Sequence, residues 1–294
     1  MTQSAATAPI RAAHHTVRAD GVDVFYREAG PADAPVILLL HGFPSSSHMY
    51  RDLIPLLATR YRVIAPDLPG FGFTVVPPER QYVYRFDDLA HTMGAFVQAL
   101  GLARYALYVF DYGAPVGLRL AARHPERVTA LVSQNGNAYL EGLSDAWSPM
   151  RAYWAEPNAE NRAALRAMLT LETTRWQYTH GADASKVAPE SYTLDATLMS
   201  RPENQEIQLD LFRDYASNLA LYPVFQQFFR DARPPTLVIW GRNDPFFLPP
   251  GAEAYRRDLP DATVRLLDTG HFALETHVDE IAAAIHVLLA RAHA

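Results

Sequence analysis

The sequence of 294 residues contains no cysteine. Disulfide bonds and thiolate metal sites are therefore excluded, and an intracellular protein without covalent cross-links is favoured. Long apolar runs are missing as well: the run VILLL is far too short to cross a bilayer, and the first 20 residues lack the apolar stretch of a secretory signal. We therefore expect a cytoplasmic protein that makes no use of a membrane.

Positive charge is also scarce, since the formal net charge is −6. No basic surface for nucleic acid is expected from this balance. The sequence shows no metal-ligand cluster and no glycine-rich phosphate loop, so we expect neither a metal nor a cofactor. Hydrophobic residues make up 49% of the chain, which is enough for one large domain or for a domain with an insertion. The oligomeric state stays open, with a homodimer as one option.

Short apolar runs alternate with amphipathic segments along most of the chain. Strand patterns lie at residues 22–29, 35–40, 61–67, 105–110, 128–134, 235–240 and 262–268. Helical patterns lie at Met49–Leu57, Phe86–Leu100, Ala114–Arg123 and Asp279–Ala292. Continuous apolar strands alternating with helices predict an α/β protein: a mostly parallel twisted sheet flanked by helices. The first dozen residues are expected to be a loose end.

This alternation stops between residues 138 and 233, where no buried strand is evident and three of the four tryptophans lie. We predict that residues 1–137 and 234–294 form the two parts of the core. Residues 138–233 are then a helical cap inserted between two core strands. A cap over the carboxyl edge of the sheet is expected, because open α/β sheets bind ligands there.

Three polar side chains follow apolar strands in a suggestive order. Asp111 lies in the turn VFDYGAPVG, Asp244 in WGRNDPFF and His271 in DTGHFALE. Each has an ordinary structural explanation, as a helix N-cap, a turn residue or a loop histidine. Because all three residues follow strands that end at one edge of the sheet, their combination instead predicts a nucleophile, an acid and a general base. The segment NGNAY after residue 134 offers no carboxylate before Glu141, so Asp244 is the predicted acid.

The loop HGFPSSSHMY follows the strand VILLL. A glycine-containing loop at this edge can direct a backbone N–H toward Asp111, although it can also be a simple strand-to-helix turn. We predict that the N–H groups of Phe43 and Tyr112 form an oxyanion hole. His41 is expected to be structural.

Together, HGFP, APDLPGFG, VFDYGAPVG, WGRNDPF and GHFALE resemble the α/β-hydrolase fold over nearly the whole chain. The aspartate in the turn resembles the epoxide hydrolases and haloalkane dehalogenases, and not the esterases and lipases. No G-x-S-x-G motif occurs.

A carboxylate nucleophile suits the reactions of epoxide hydrolases and haloalkane dehalogenases. Its attack on a saturated carbon gives an ester that water can hydrolyse, whereas a serine would give a stable ether. His271 would activate that water.

The resemblance also implies roles for cap residues. In epoxide hydrolases, cap tyrosines protonate the leaving oxygen. FRDYASN offers Tyr215 for this, with Asn218 in the matching place, and RAYWAEP offers Tyr153, although its Tyr–Trp order departs from the family's Trp–Tyr pattern. A tyrosine that only packs in a helix is the structural alternative for Tyr215.

Haloalkane dehalogenases usually carry tryptophan after the nucleophile and asparagine in the HG loop. This chain has Tyr112 and Phe43 at these two positions, which counts against a halide leaving group. Trp154 could still donate an N–H to a halide from the cap. We therefore expect an epoxide hydrolase for a small nonpolar substrate, bound by Trp154 and Phe43. A haloalkane dehalogenase is the alternative, and a receptor that lost turnover is the alternative of another class.

Overall fold

The computed structural model describes residues 10–292, so most of the predicted loose end lies outside the described residues. The described chain forms one sheet of eight strands in the order β1-β2-β4-β3-β5-β6-β7-β8. The strands are β1 Ala13–Ala19, β2 Val22–Ala29, β3 Val36–Leu40, β4 Arg62–Pro66, β5 Tyr105–Phe110, β6 Val128–Gln134, β7 Thr236–Gly241 and β8 Thr263–Leu267.

Strands β3 to β8 run parallel, and β1 and β2 are joined to them antiparallel at one edge. The predicted fold class is confirmed. The prediction missed β1, whose segment AHHTVRA is mostly exposed and pairs only with β2. An edge strand of this kind carries no apolar run, so the pattern that found the buried strands could not find it.

The described residues form eleven α-helices: α1 Leu53–Leu57, α2 Phe86–Ala99, α3 Gly113–Arg123, α4 Ser148–Ala155, α5 Ala159–Ala164, α6 Leu171–Thr179, α7 Pro189–Met199, α8 Asn204–Asp214, α9 Ala216–Ala232, α10 Pro249–Asp258 and α11 Leu274–Ala292. The helix predicted at Met49–Leu57 is divided into a 3₁₀ turn, Ser47–Tyr50, and the short α1. The last helix begins earlier than predicted and is kinked at His277.

Two apolar clusters cover the two faces of the sheet. Leu38 and Leu40 of β3 join the cluster that contains the buried faces of α2 and α3. Ile37 and Leu39 join the cluster that contains α1 and α11. Successive strand side chains point to opposite faces, so a strand covered on both sides must be apolar throughout.

Helices α4 to α9 lie between β6 and β7, the segment for which the name cap is kept here. No helix among residues 10–292 is long and apolar enough to span a bilayer. The same residues hold no cluster of three or more His, Cys, Asp or Glu side chains that could ligate a metal.

Candidate active site

Asp111 lies in a sharp turn between the end of β5 and the beginning of α3. Its φ angle is +46°, in the left-handed region that non-glycine residues seldom adopt. A residue held in this strained conformation projects its side chain at the edge of the sheet. The turn therefore presents a carboxylate at the carboxyl end of the strands.

Two glycines let the backbone close around this turn. A Cβ atom on Gly113 would lie 2.0 Å from the carbonyl oxygen of Leu40, and one on Gly42 would lie 2.2 Å from Asp111 Oδ1. Neither position has room for a side chain. The HG loop can therefore approach Asp111 directly, and the Phe43 N–H donates to Asp111 Oδ1 at 2.6 Å.

His271 follows β8 and lies between two carboxylates. Its Nδ1 is 2.7 Å from Asp244 Oδ2, and its Nε2 is 3.9 Å from Asp111 Oδ2. All three side chains are buried. Because Asp244 accepts a hydrogen bond from Nδ1–H, the unprotonated Nε2 of a neutral imidazole faces Asp111. The structure thus brings together the three residues that the sequence placed at strand ends.

Backbone and side-chain donors hold Asp244 in place. The N–H groups of Phe246 and Phe247 donate to its Oδ1 at 2.8 and 3.1 Å. Asn135 donates from Nδ2 to its Oδ2 at 2.6 Å and accepts from the N–H of Gly241 at 3.1 Å. Asn135 stands just after β6 with a φ angle of +46°. The Asn135 amide and His271 Nδ1 therefore contact the same oxygen of Asp244, Oδ2.

Burial and neighbouring charges shift the pKa values of Asp111 and His271. Burial raises the pKa of Asp111 to about 6, although the charge of His271 and the N–H groups of Phe43 and Tyr112 act in the opposite direction. Burial alone would lower the pKa of His271. The charge and the hydrogen bond of Asp244, together with the charge of Asp111, outweigh burial and raise the pKa of His271.

The two predicted oxyanion donors both lie at the carboxylate of Asp111. Both the Phe43 N–H and the Tyr112 N–H donate to this carboxylate. With Oδ1 held by the backbone, Oδ2 is the oxygen that faces His271. The two oxygens can therefore have different roles: one is stabilised by N–H groups, and the other can attack a bound molecule.

A small cavity of about 20 Å³ lies beside Asp111, with room for about one water molecule. Its walls are mostly aromatic rings and methionines. The residues that line it are Phe43, Asp111, Tyr112, Trp147, Met150, Met168, Gln177, Phe212, Phe246 and His271. Phe43 therefore lies where a substrate would bind, and the other side of the cavity is formed by the cap.

Tyr215, the predicted leaving-group acid, is fully buried in the cap. Its ring packs against Trp147, with centroids 4.5 Å apart, and its hydroxyl group interacts with that of Tyr222. Burial raises the pKa of both hydroxyl groups, for Tyr222 to about 12, and the negative charge of Asp111 raises both further. Asn137 Nδ2 donates to the Tyr222 hydroxyl at 3.2 Å.

Two predicted cap residues require correction. The Tyr153 hydroxyl accepts a hydrogen bond from Arg162 at 3.0 Å, so it faces an ion-pair network of the cap and not Asp111. The Trp154 indole donates to the carbonyl oxygen of Phe212 at 2.7 Å. Its N–H is therefore not offered to a substrate, and neither residue lines the cavity.

Several site residues were not predicted. The sequence prediction considers only a carboxylate after β6 and therefore does not include Asn135. Tyr222 lies seven positions after Tyr215, two helical turns away on the same face, and this spacing could have identified it. Gln177 and Trp147 had no signal in the sequence, because only the packing of the cap brings them to the cavity.

Comparison with known proteins agrees with this architecture. A family model described as alpha/beta hydrolase fold matches residues 35–278. The protein named Uncharacterized hydrolase YNR064C from Saccharomyces cerevisiae is 51% identical over 271 residues, which cover 90% of this chain and 93% of the relative. Haloalkane dehalogenase 2 from Mycobacterium bovis is 31% identical over 262 residues, which cover 85% and 86%.

A solved structure, that of wild-type DBJA, superimposes with a TM-score of 0.82 at 25% identity and covers 95% of this chain and 98% of its own. The family model alone spans well over half of the sequence. The chain therefore belongs to the α/β hydrolase family, and haloalkane dehalogenases are among its homologues.

Proposed function

We propose that this hydrolase opens small nonpolar epoxides through a covalent ester on Asp111. The observation that carries the proposal is the pair of interacting cap hydroxyl groups of Tyr215 and Tyr222. The Tyr215 ring packs on Tyr112 and Trp147, two residues that line the cavity beside Asp111, with centroids 5.7 and 4.5 Å apart. An epoxide oxygen needs a proton as it leaves, and a tyrosine O–H can supply one.

The tryptophans support an oxygen leaving group over a halide. The indole N–H groups of Trp147, Trp154 and Trp240 donate to backbone carbonyl oxygens. The ring of Trp176 is 42% exposed. Trp176 does not line the cavity beside Asp111, so among residues 10–292 no tryptophan offers an unpaired N–H from the wall of that cavity.

In the first step, Asp111 Oδ2 attacks a ring carbon of the epoxide. The bond between that carbon and the ring oxygen breaks, and the oxygen takes the proton of Tyr215. The products of this step are a hydroxyalkyl ester on Asp111 and a phenolate. The N–H of Phe43 keeps Oδ1 in place throughout, so Oδ2 is the oxygen that becomes esterified.

In the second step, His271 Nε2 takes a proton from water, and the hydroxide attacks Cγ of Asp111. Negative charge then develops on Oδ1, where the two N–H groups stabilise it. Collapse of this intermediate expels the diol oxygen, which takes the proton from His271. The proton left on the carboxyl group of Asp111 returns to the phenolate of Tyr215, and the enzyme is restored.

Haloalkane dehalogenation is the second candidate function. It is favoured by the relative named Haloalkane dehalogenase 2, which is 31% identical over 85% of this chain. The same attack by Asp111 would expel a halide, and the same water attack would release an alcohol. The two functions differ only in the leaving group, so one experiment can separate them.

The test removes the general base and traps the ester. We expect His271→Ala to allow attack by Asp111 but to stall hydrolysis. The variant is incubated separately with propylene oxide, styrene oxide and bromopropane, and its intact mass is measured. The Asp111→Ala/His271→Ala double variant should form no adduct. His91→Ala, which replaces an exposed histidine of α2, should turn over normally and accumulate none.

An epoxide opens without losing an atom, so its adduct adds the whole mass of the epoxide. A bromoalkane loses bromide, so its adduct adds the alkyl group and loses one proton. We expect the whole-epoxide mass on the peptide that contains Asp111. Alkyl addition from bromopropane alone would establish the dehalogenase, and no adduct with any compound would favour a non-catalytic receptor.

The apolar lining of the cavity supports a nonpolar substrate. The cytoplasmic location, the division into core and cap, and the homodimer remain proposals from the sequence.

A further inference from the structure

Gln177 has a buried amide without a partner in the resting structure. It lies on α6 and is 1% exposed. Its Nε2 makes no hydrogen bond with any of the described residues 10–292. The side chain lines the same small cavity as Asp111 and His271. An unused pair of N–H donors therefore lies beside the proposed reacting atoms.

A buried amide without an acceptor is energetically unfavourable unless a ligand supplies one. A buried donor that lacks an acceptor destabilises the folded protein, and most buried polar groups are paired. Gln208, a second fully buried glutamine of the cap, uses its donor: Nε2 donates to the carbonyl oxygen of Gly70 at 3.1 Å, although its Oε1 has no partner among the described residues. Gln177 differs in facing a cavity, where a bound molecule can supply the acceptor.

Gln177 also lies on the side of the cavity that faces the nucleophile. Asp111 belongs to the core, and α6 belongs to the cap. A leaving group departs opposite the attacking oxygen, that is, toward the cap. Among the cap residues that line the cavity, Trp147 uses its indole N–H on the carbonyl oxygen of Phe246. The others, Met150, Met168 and Phe212, have no polar hydrogen to donate from their side chains.

We propose that the Gln177 amide is a catalytic residue that holds the leaving atom during attack by Asp111, an inference that rests on the proposed function. As Asp111 Oδ2 bonds to the epoxide carbon, the breaking C–O bond leaves negative charge on the ring oxygen. Gln177 Nε2–H donates to this oxygen and keeps its proton. The proton that completes the alcohol comes from Tyr215.

This assignment narrows the substrate class. Among the described cap side chains that line the cavity, Gln177 alone offers an unpaired donor, and the rest of the cap wall is aromatic rings and methionines. A substrate that fits this lining carries one acceptor atom at its reacting carbon and is otherwise apolar. A second polar group near the epoxide would find no partner among the lining side chains of the cap.

The experiment measures the rate of ester formation in the His271→Ala background, where hydrolysis does not interfere. Gln177→Met keeps the length of the side chain but removes the donor. We expect propylene oxide to form the adduct about 10- to 100-fold more slowly, the usual scale for a hydrogen bond to a developing charge. Gln227→Met makes the same change at an exposed position of α9 and should leave the rate unchanged.

A separate measurement distinguishes catalysis from packing. Loss of an unpaired buried donor should leave the melting temperature of Gln177→Met equal to that of the parent or higher, while the rate falls. Gln177→Glu has nearly the same shape but lacks donors when ionised, so it should also be slow.

Equal adduct rates in folded Gln177→Met and in the parent would overturn the proposal, and so would unfolding of both variants, which would make the amide structural. No adduct in the parent, with Gln177 intact, would instead overturn the proposed function and this inference with it.

Discussion

A buried carboxylate within the cap leads to a prediction about stability. Asp195 lies on α7 and accepts a hydrogen bond from the hydroxyl of Tyr178 at 2.5 Å. The ring of Tyr178 stacks on Phe272, the residue after the general base, with centroids 3.7 Å apart. Burial raises the pKa of Asp195 to about 8; the Tyr178 bond opposes this, and the charges of Asp67 and Glu275 add to it.

The size of the effect follows from the two pKa values. In the unfolded chain the pKa of this carboxyl group returns to its ordinary value of 3.8. Between about pH 4 and pH 8 the folded protein therefore holds a proton that the unfolded chain has lost. The free energy of unfolding should fall by about 1.4 kcal/mol for each pH unit across this window. In melting temperature this is roughly 2 °C per unit for a chain of this size.

The assay compares Asp195→Asn with the wild type by thermal unfolding at pH 5, 6, 7 and about 8. Asparagine keeps an acceptor for Tyr178 but cannot ionise. We expect the variant to gain stability relative to the wild type as pH rises, because only the wild type must keep a proton bound. Asp145→Asn, at an exposed cap position, should track the wild type. A difference between Asp195→Asn and the wild type that stays constant across the range would refute the reasoning.

Two further predictions concern the proposed first step. Tyr215→Phe should slow ester formation by roughly 10²-fold, the usual scale for one general acid. Tyr153→Phe should leave the rate unchanged, because the Tyr153 hydroxyl bonds to Arg162. An unchanged rate in Tyr215→Phe would remove Tyr215 from the mechanism. Because the carboxylate is the nucleophile and the pKa of Asp111 is raised to about 6, single-turnover ester formation should lose about tenfold per pH unit below that value and level off above it. A flat profile between pH 5 and about 7 would contradict a titrating Asp111.

The core of the site could be predicted because its positions follow from local pattern. A strand buried on both faces is a continuous apolar run, and the first polar residue after it lies at the edge of the sheet. Asp111, Asp244 and His271 each follow such a run, and parallel strands bring their ends to one edge. The backbone donors of Phe43 and Tyr112 are predictable for the same reason.

The cap could not be predicted to the same depth. Its helices are amphipathic, and their pattern shows which side is buried but not which neighbour each side chain meets. Tyr153 and Tyr215 are both buried tyrosines, yet only the tertiary packing directs one hydroxyl to Arg162 and the other to Tyr222. Gln177 is the extreme case, since its significance lies in the absence of a partner, which no sequence pattern records.

The charges of the site also link the two chemical steps. In the free enzyme the charge of Asp111 helps to raise the pKa of His271, which favours the protonated imidazole, and that charge on His271 in turn helps to keep Asp111 ionised. Formation of the proposed ester neutralises Asp111, so its contribution to the pKa of His271 disappears and the neutral imidazole becomes more populated. Ester formation thus favours the neutral imidazole, the form in which Nε2 can take a proton from water. The hydrogen bond between Nδ1 and Asp244 Oδ2 holds the tautomer of His271 whose Nε2 faces the ester.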